Sequence, residues 1–539
     1  MHPCVTKAMA VITATMMTLL PATPAFAHDP DPAASFSTKT PIKHVVVIFQ
    51  ENVSFDHYFA TYPYAANPQG EPQFHPKDDT PRVNGLLAAG LLDQNPNSTQ
   101  PFRLDRSQAV TCDQDHNYAD EQAAFNHGLM DKFPEKVGVG NSASFPCADF
   151  GKGKGLVMGY YDGNTVTAFW NYAQHFAMSD NSYNTVFGPS TPGAINLVSG
   201  DTSGATMLPF AADGVTAGSA GGNLAGGLNS GAVIGDPRPG FDNCLTTPAV
   251  GTAKKTRITM SGTNVGDLLT KKNITWGWFQ GGFGLTGKNA DGSPACGAVS
   301  TGLASPGGTS DYIPHHQPFQ YYKSTANPDH LPPSDPKLIG QSDQANHQYD
   351  LKDFWTALFE DRLPAVTFLK AKAAQDGHAG YSDPLDEQTF VVNVINALQQ
   401  TNAWKDTAVI IAYDDSDGWY DHAMDVVVNQ SDVSDDNLTA PGACGVTASG
   451  GTPGRCGYGP RLPLLIVSPW AKRNYVDHHI TDQSSILRFI EDNWSLGRIG
   501  GESLDVKAGT LDGMFDFDDK SQHGRKLILD PGTGLVLSH

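Results

Sequence analysis

Past the first 27 residues the sequence has no stretch approaching the ~20 apolar residues that a membrane-spanning helix needs. It has no CxxC pair, which argues against a structural zinc site or a redox role. There is no GxSxG elbow of the hydrolase type, no internal repeat and no twin-arginine pair. Basic residues are scarce. Lys and Arg number 35 against 56 Asp and Glu, a formal net charge of −21, and the acids are spread along the chain. That balance excludes a nucleic-acid backbone or an anionic membrane as the main partner, and it suits divalent cations.

What is present starts with a processing signal. "MHPCVTK" carries one Lys, the apolar run "AMAVITATMMTLL" follows, and "AFA" meets the small-x-small cleavage rule. Cleavage is expected before His28, giving a periplasmic or secreted product without stable membrane insertion. Residues 28–42 read as a flexible leader and 43–539 as one catalytic domain. Six cysteines remain after residue 27. An even number in an exported chain predicts disulfides, and sequence proximity favours Cys112–Cys147, Cys244–Cys296 and Cys444–Cys456.

Gly (56) and Pro (37) make up about a sixth of the chain, so loops are many. Between them lie short runs rich in Val and Ile: "HVVVIF" (44–49), "ITWGWF" (274–279), "AVTFLKA" (365–371), "TAVIIAY" (407–413) and "LPLLIV" (462–467). Continuous rather than alternating runs predict strands buried on both faces. Helical periodicity appears at 386–404, at 482–496 (with Ser484 or Ser485 as N-cap) and at 119–133. Strands alternating with helices predict an α/β fold with a mostly parallel central sheet flanked by helices. Residues 201–262 and 280–345 are Gly-, Ser-, Asn- and Pro-rich, and read as long insertions forming a cap over the active-site edge.

In such sheets ligands bind beyond the carboxyl ends of the strands. Two strands end there in paired oxygen donors, Glu51-Asn52 and Asp414-Asp415. Such donors suit one hard divalent cation, or zinc with carboxylates. A simple turn also accounts for "DDSDG". The EF-hand reading fails, because that loop needs acids where Tyr413 and Met424 stand. In "FGPSTPG", Gly188-Pro189 and Pro192-Gly193 bracket Ser190-Thr191, placing a hydroxyl on a tight turn at a helix N-terminus. His116, His315, His316 and His378 sit in loops near these segments; imidazoles suit metals, phosphate oxygens and leaving-group protonation. His347, His422, His478 and His479 are weaker candidates.

"FQENVSFDHYF", "DHNYADEQAAFNHGLMDKF", "FGPSTPGAINLVSG" and "AYDDSDGWYDH", in that order from about residue 40 to about 500, resemble the bacterial phosphoesterase family. That family holds secreted phospholipases C and acid phosphatases similar to the Francisella enzyme, within the alkaline phosphatase superfamily. The resemblance implies an alkaline phosphatase-like fold, with Ser190 as the nucleophile that forms a phosphoenzyme. It implies Glu51, Asn52, Asp414, Asp415 and Ser190 around a single metal ion of unspecified identity. It places His116, His315, His316 and His378 along the phosphate site. The chain departs from its relatives at Val53, where they carry Arg, and at Ser190 and Gly193, where phospholipases with GPTDPN carry Thr and Asn. These departures favour a secreted acid phosphatase acting on small phosphoesters. A phospholipase C-type phosphodiesterase acting on phospholipid head groups is the alternative, and a calcium-dependent binding protein is a third reading. Histidines that must be protonated predict an acidic optimum.

Overall fold

A computed structural model describes residues 31–143, 146–208, 228–229, 231–244, 256–290, 292, 294–424, 454–519 and 524–539. Eight strands make the central sheet: β1 (His44–Gln50), β2 (Ala177–Ser179), β3 (Trp276–Gln280), β4 (Gln348–Asp350), β5 (Val366–Lys370), β6 (Thr407–Tyr413), β7 (Leu464–Val467) and β8 (Tyr475–Asp477). Their spatial order is β4-β3-β5-β1-β6-β7-β2-β8. All neighbours are parallel except β7, which runs antiparallel to both β6 and β2. The mixed α/β class is therefore as expected, with one reversed strand that the run "LPLLIV" does not distinguish from the rest.

The apolar runs form strands because both of their sides have something to pack against. Every residue of β1, β3, β5 and β6 is buried. Each fully buried Val or Ile contributes ~1.5–3 kcal/mol relative to exposure. β1 pairs with β6 over seven residues, from His44 with Thr407 to Gln50 with Tyr413. That register brings the residues following both strands to the same edge. β2, β4 and β8, each of three residues, carry no run long enough to read from sequence.

The helices used below are α1 (Phe55–Phe59), α2 (Tyr118–Phe125), α3 (Thr167–His175), α4 (Ser190–Ser199), α5 (Val265–Lys271), α6 (Leu351–Phe359), α7 (Pro384–Leu398) and α8 (Gln483–Asn493). α7 starts two residues ahead of the predicted 386 and ends at Leu398, short of 404: Asp383 accepts from the Leu385 and Asp386 amides, and Pro384 occupies the first turn, where its missing N–H costs nothing. α8 is capped by Asp482 rather than by a serine. Asp482 accepts from the Ser485 amide, and Ser485 Oγ accepts in return from the Asp482 amide. α2 ends at Phe125, short of the predicted 133, because Asn126 and His127 take left-handed backbone conformations. α4 and α8 pack on each other.

The insertions form small sheets and turns. Ala205–Met207, Arg238–Pro239 and Arg257–Met260 make a three-stranded sheet, and Pro314–His316 is a single 3₁₀ turn. Cys112–Cys147 and Cys244–Cys296 are disulfides, as proximity predicted. Cys444 of the third pair, and residues 1–27 of the predicted signal, lie outside the described residues.

Candidate active site

β1, β5 and β6 lie side by side at the centre of the sheet, and the groups that follow their carboxyl ends converge. Glu51 and Asn52 leave β1, Lys370 is the last residue of β5, and Asp414 and Asp415 leave β6. The chain turns sharply here: Asn52 has a φ of 46°, and the Val53 amide donates to the Asp415 carbonyl at 2.9 Å. Val53 is buried, and its amide ties the two strand ends together.

Ser190 opens α4, as the Gly-Pro punctuation indicated. Gly188 supplies a φ of +114° before it. Ser190 Oγ lies 3.1 Å from Glu51 Oε2 and 3.1 Å from Asp415 Oδ2, in positions to donate to either. α4 can approach this closely because residue 193 is Gly: a Cβ there would sit 2.0 Å from the Asp414 carbonyl oxygen. This backbone leaves no room for a side chain at residue 193.

Lys370 was missed in the sequence, where it reads as the solvent end of an apolar run. It is fully buried, its Nζ touches Glu51 Oε1 and lies 3.2 Å from Asp414 Oδ2. Burial opposes its charge, but Asp414 and Glu51 hold the ammonium above its ordinary range. Burial likewise opposes ionisation of Glu51, yet His316 and Lys370 hold its carboxyl well below the usual range. Burial and the charge of Glu51 push Asp414 up, and burial pushes Asp415 up to about 7 against the pull of His116.

Three buried carboxylates thus face two cations, the Lys370 ammonium and the His116 imidazolium, and the cluster is one positive charge short when all three are ionised. Asn52 Oδ1 is buried and accepts no hydrogen bond among the described residues. Glu51 Oε2, Asp415 Oδ2 and Ser190 Oγ lie together and, with the neighbouring Asn52, offer oxygen donors suited to a hard divalent cation, so the residues fit one. Glu51 also groups with His316 and Asp376, and His116 with His378 and Asp417, closely enough to hold an ion. Asp414 is differently engaged: Oδ2 faces Lys370, and Oδ1 accepts from the Asn52 and Asp415 amides.

All four predicted histidines reach this region. His116 Nδ1 lies 2.9 Å from the Gln114 carbonyl and 3.2 Å from Asp417 Oδ1, with Nε2 3.5 Å from Asn52 Nδ2. Burial works against its charge, but Asp415 and Asp417 hold the imidazolium well above the ordinary range. His378 Nδ1 donates to the Ala379 carbonyl at 2.6 Å, and its ring meets His116 edge-on, centroids 5.8 Å apart. His316 Nδ1 contacts Glu51 Oε1 at 2.9 Å. Burial drives His316 down to about 4 despite Glu51, so near neutral pH that contact is a hydrogen bond, and Lys370 carries the charge beside Glu51. His315 Nε2 stands 3.9 Å from Asp236 Oδ2.

Sequence reading also missed Asp236 and Glu121. Asp236 Oδ1 accepts from both the amide and the hydroxyl of Thr191, bringing the first insertion to the turn that carries Ser190. Glu121 accepts from the Gly188 amide and the Ser416 hydroxyl, fixing that turn to the loop after β6. The weaker histidines lie elsewhere. His347 stacks on Trp276, while His422, His478 and His479 pair with Asp56, Asp180 and Asp477.

The family model described as the phosphoesterase family matches residues 42–497. The chain belongs to the phosphoesterase family. Among curated relatives, a non-hemolytic phospholipase C of Pseudomonas aeruginosa is 22% identical over 84% of this chain and 54% of its own length. Phospholipase C A of Mycobacterium tuberculosis is 22% identical over 84% of this chain and 72% of its own length. Non-specific phospholipase C6 of Arabidopsis thaliana is 31% identical over 24% of this chain and 24% of its own length. The chain spans about half the length of the Pseudomonas phospholipase it matches. The motifs that carried the resemblance to the family all lie within the matched residues.

Proposed function

We propose that this phosphoesterase-family chain is a phosphoric-ester hydrolase of phospholipase C type that uses Ser190 as its nucleophile. The observation that carries the reading is the approach of Ser190 Oγ to Glu51 Oε2 and Asp415 Oδ2, at the N-terminus of α4 and beside an unpartnered Asn52 oxygen. The names of the relatives favour a phosphodiesterase over the acid phosphatase that the departures at Ser190 and Gly193 suggested. The fold is taken as alkaline phosphatase-like, with residues 43–539 as one catalytic unit and the two insertions over its site. Export after cleavage before His28 is supported by the two disulfides. Among the described residues no helix is long and apolar enough to cross a membrane.

Glu51, Asn52, Asp415 and Ser190 would hold the divalent ion, with Asp414 reaching it through Lys370 and the Asn52 amide. Such an ion, when bound, supplies Lewis-acid stabilisation of the serine alkoxide and of charge on the phosphoryl oxygens. The residues do the rest. Ser190 Oγ loses its proton towards the carboxylate oxygens it faces and attacks phosphorus. His116, its Nδ1–H held by the Gln114 carbonyl, presents Nε2 as the acid that protonates the departing alcohol. His378, oriented through Nδ1 by the Ala379 carbonyl, presents Nε2 to a phosphoryl oxygen. Water then cleaves the phosphoserine, with His116 taking up the proton it gave.

A phosphomonoesterase is the second reading, favoured by the imidazolium that Asp415 and Asp417 maintain at His116, since a monoester carries the greater negative charge. The test compares p-nitrophenylphosphorylcholine with p-nitrophenyl phosphate, for wild type and Ser190→Ala. Turnover of the diester that Ser190→Ala abolishes, with acid-quenched wild type phosphorylated on the Ser190 peptide, is expected. Monoester turnover alone would select the second reading, and full activity in Ser190→Ala would overturn both.

A further inference from the structure

A second cavity, of about 720 Å³, lies at the opposite edge of the sheet. Phe176, just before β2, and Arg473, just before β8, stand on its wall. β2 and β8 are parallel to one another and to β6, so these are amino ends, whereas Glu51, Lys370 and Asp415 stand at carboxyl ends.

In a chain of net charge −21, this lining carries Lys77, Arg473, Arg525 and Lys526, and no Asp or Glu side chain. His175, Ser538 and His539 also line it. Arg525 is half-buried, whereas Lys77 and Arg473 are exposed. Its Nη2 donates to the Ser468 and Ala471 carbonyls at 2.8 and 2.6 Å, and its guanidinium lies over the Phe176 ring, 4.5 Å from the centroid. Its Nε and Nη1 are buried and make no hydrogen bond among the described residues. None of Lys77, Arg525 and Lys526 forms an ion pair with a carboxylate among those residues. Asp519 and Asp79 act on Arg525 and Lys77 only through space. Burial and the like charge of Arg473 push Arg525 down to about 9, and burial pushes His175 down to about 4, with Lys77 beside it.

A half-buried guanidinium held among like charges, with Nε and Nη1 out of solvent and unused, is costly unless something negative is present to share them. We propose that this cavity is a second anion site, taking a phosphate or a small phosphate monoester whose apolar part rests on Phe176 and Leu527. The volume is that of a small-molecule site, and the combination of guanidinium and ammonium groups is the one that recognises phosphate oxygens. The site owes nothing to the catalytic reading. It would let the chain sense free phosphate, or hold a phosphorylated ligand, on the side remote from Ser190.

The test is titration calorimetry of the full chain with inorganic phosphate at fixed ionic strength, alongside co-sedimentation with phosphatidylcholine vesicles doped with phosphatidic acid. Wild type should bind phosphate at two sites. The combined variant Lys77→Ala, Arg473→Ala, Lys526→Ala should lose one of them, or weaken it by about tenfold or more, with p-nitrophenyl ester turnover unchanged. Arg525→Met should lose the same site. Because it also drops two bonds to carbonyls, the combined variant, which leaves Arg525 in place, carries the test if Arg525→Met does not fold. Vesicle binding that the combined variant abolishes would make a lipid head group the source of the phosphate. Phosphate binding without vesicle binding would make the free anion the source. A wild type whose phosphate and vesicle binding are both untouched by the combined variant overturns the proposal. If Ser190→Ala kept full activity while the remote site still titrated, the catalytic reading would fail and this one would stand.

Discussion

Removing Lys370 tests whether the acid cluster depends on a buried ammonium. Lys370→Met keeps the length and apolar character of the side chain and deletes its charge, leaving Glu51, Asp414 and Asp415 buried together. The ionised partner of the ammonium is Glu51, whose carboxyl Lys370 helps to hold well below the usual range, while the Asp414 carboxyl, pushed up by burial and by Glu51, adds a weaker contact at 3.2 Å. Breaking a buried pair by deleting one partner costs ~3–5 kcal/mol, which is the net loss expected here. Unfolding entropy near 2.1 cal/mol/K per residue comes to about 1 kcal/mol/K for a chain of about 500 residues. The melting temperature should therefore fall by ~3–5 °C. Scanning calorimetry in excess chelator is the assay. Repeating it with a saturating divalent cation should narrow the gap between variant and wild type, because the ion supplies charge to the same oxygens. A shift below about 1 °C in chelator, or an equal shift in both conditions, would refute a cluster short of positive charge.

Two other outcomes follow from the same site. His116 is held above its ordinary value, so its protonated form, and the stability its pairing gives, are fully present below about pH 6.5 and are lost as pH rises through the higher folded value. The alkaline limb of kcat should accordingly lie above neutrality and vanish in His116→Asn; a limb near the unperturbed imidazole value would count against the pairing with Asp415 and Asp417. Gly193→Ala places a methyl 2.0 Å from a backbone carbonyl that cannot retreat without moving β6, so either the folded yield or kcat should drop by at least about tenfold. A wild-type rate with wild-type stability would show that α4 can move away.

The sequence revealed the middle of the fold and the first layer of the site, because those rest on strong local signals. Four long apolar runs are the strands β1, β3, β5 and β6, and the polar pairs that end β1 and β6 are the convergent ones. Ser190 was legible from its Gly-Pro brackets. The three-residue strands were not, since their pairing is set by neighbours rather than by local pattern. Nor was the reversal of β7, because a strand buried on both faces looks the same in either direction. Lys370 was hidden because its partners lie in the strands on one side of it, and Asp236 because the insertion that carries it has no periodicity. The cap of α8 went to Asp482 rather than to a serine because a carboxylate and a serine hydroxyl can each bond the other's amide.

The central placement of the acid cluster also governs when the chain acquires it. The Asn52 amide and its Asp414 acceptor are 362 residues apart. At ribosomal rates of 5–20 residues per second, roughly 20–70 s separate their appearance. Lys370 and β5 are made 44 residues before Asp414, so for most of that interval Glu51 has neither Lys370 nor Asp415 available to it, and β1 waits for β6 until the end. Completion of the cluster is therefore a late event in the life of each molecule, and a chain cut short before residue 414 lacks Asp415, one of the four oxygen donors, however well its earlier parts fold.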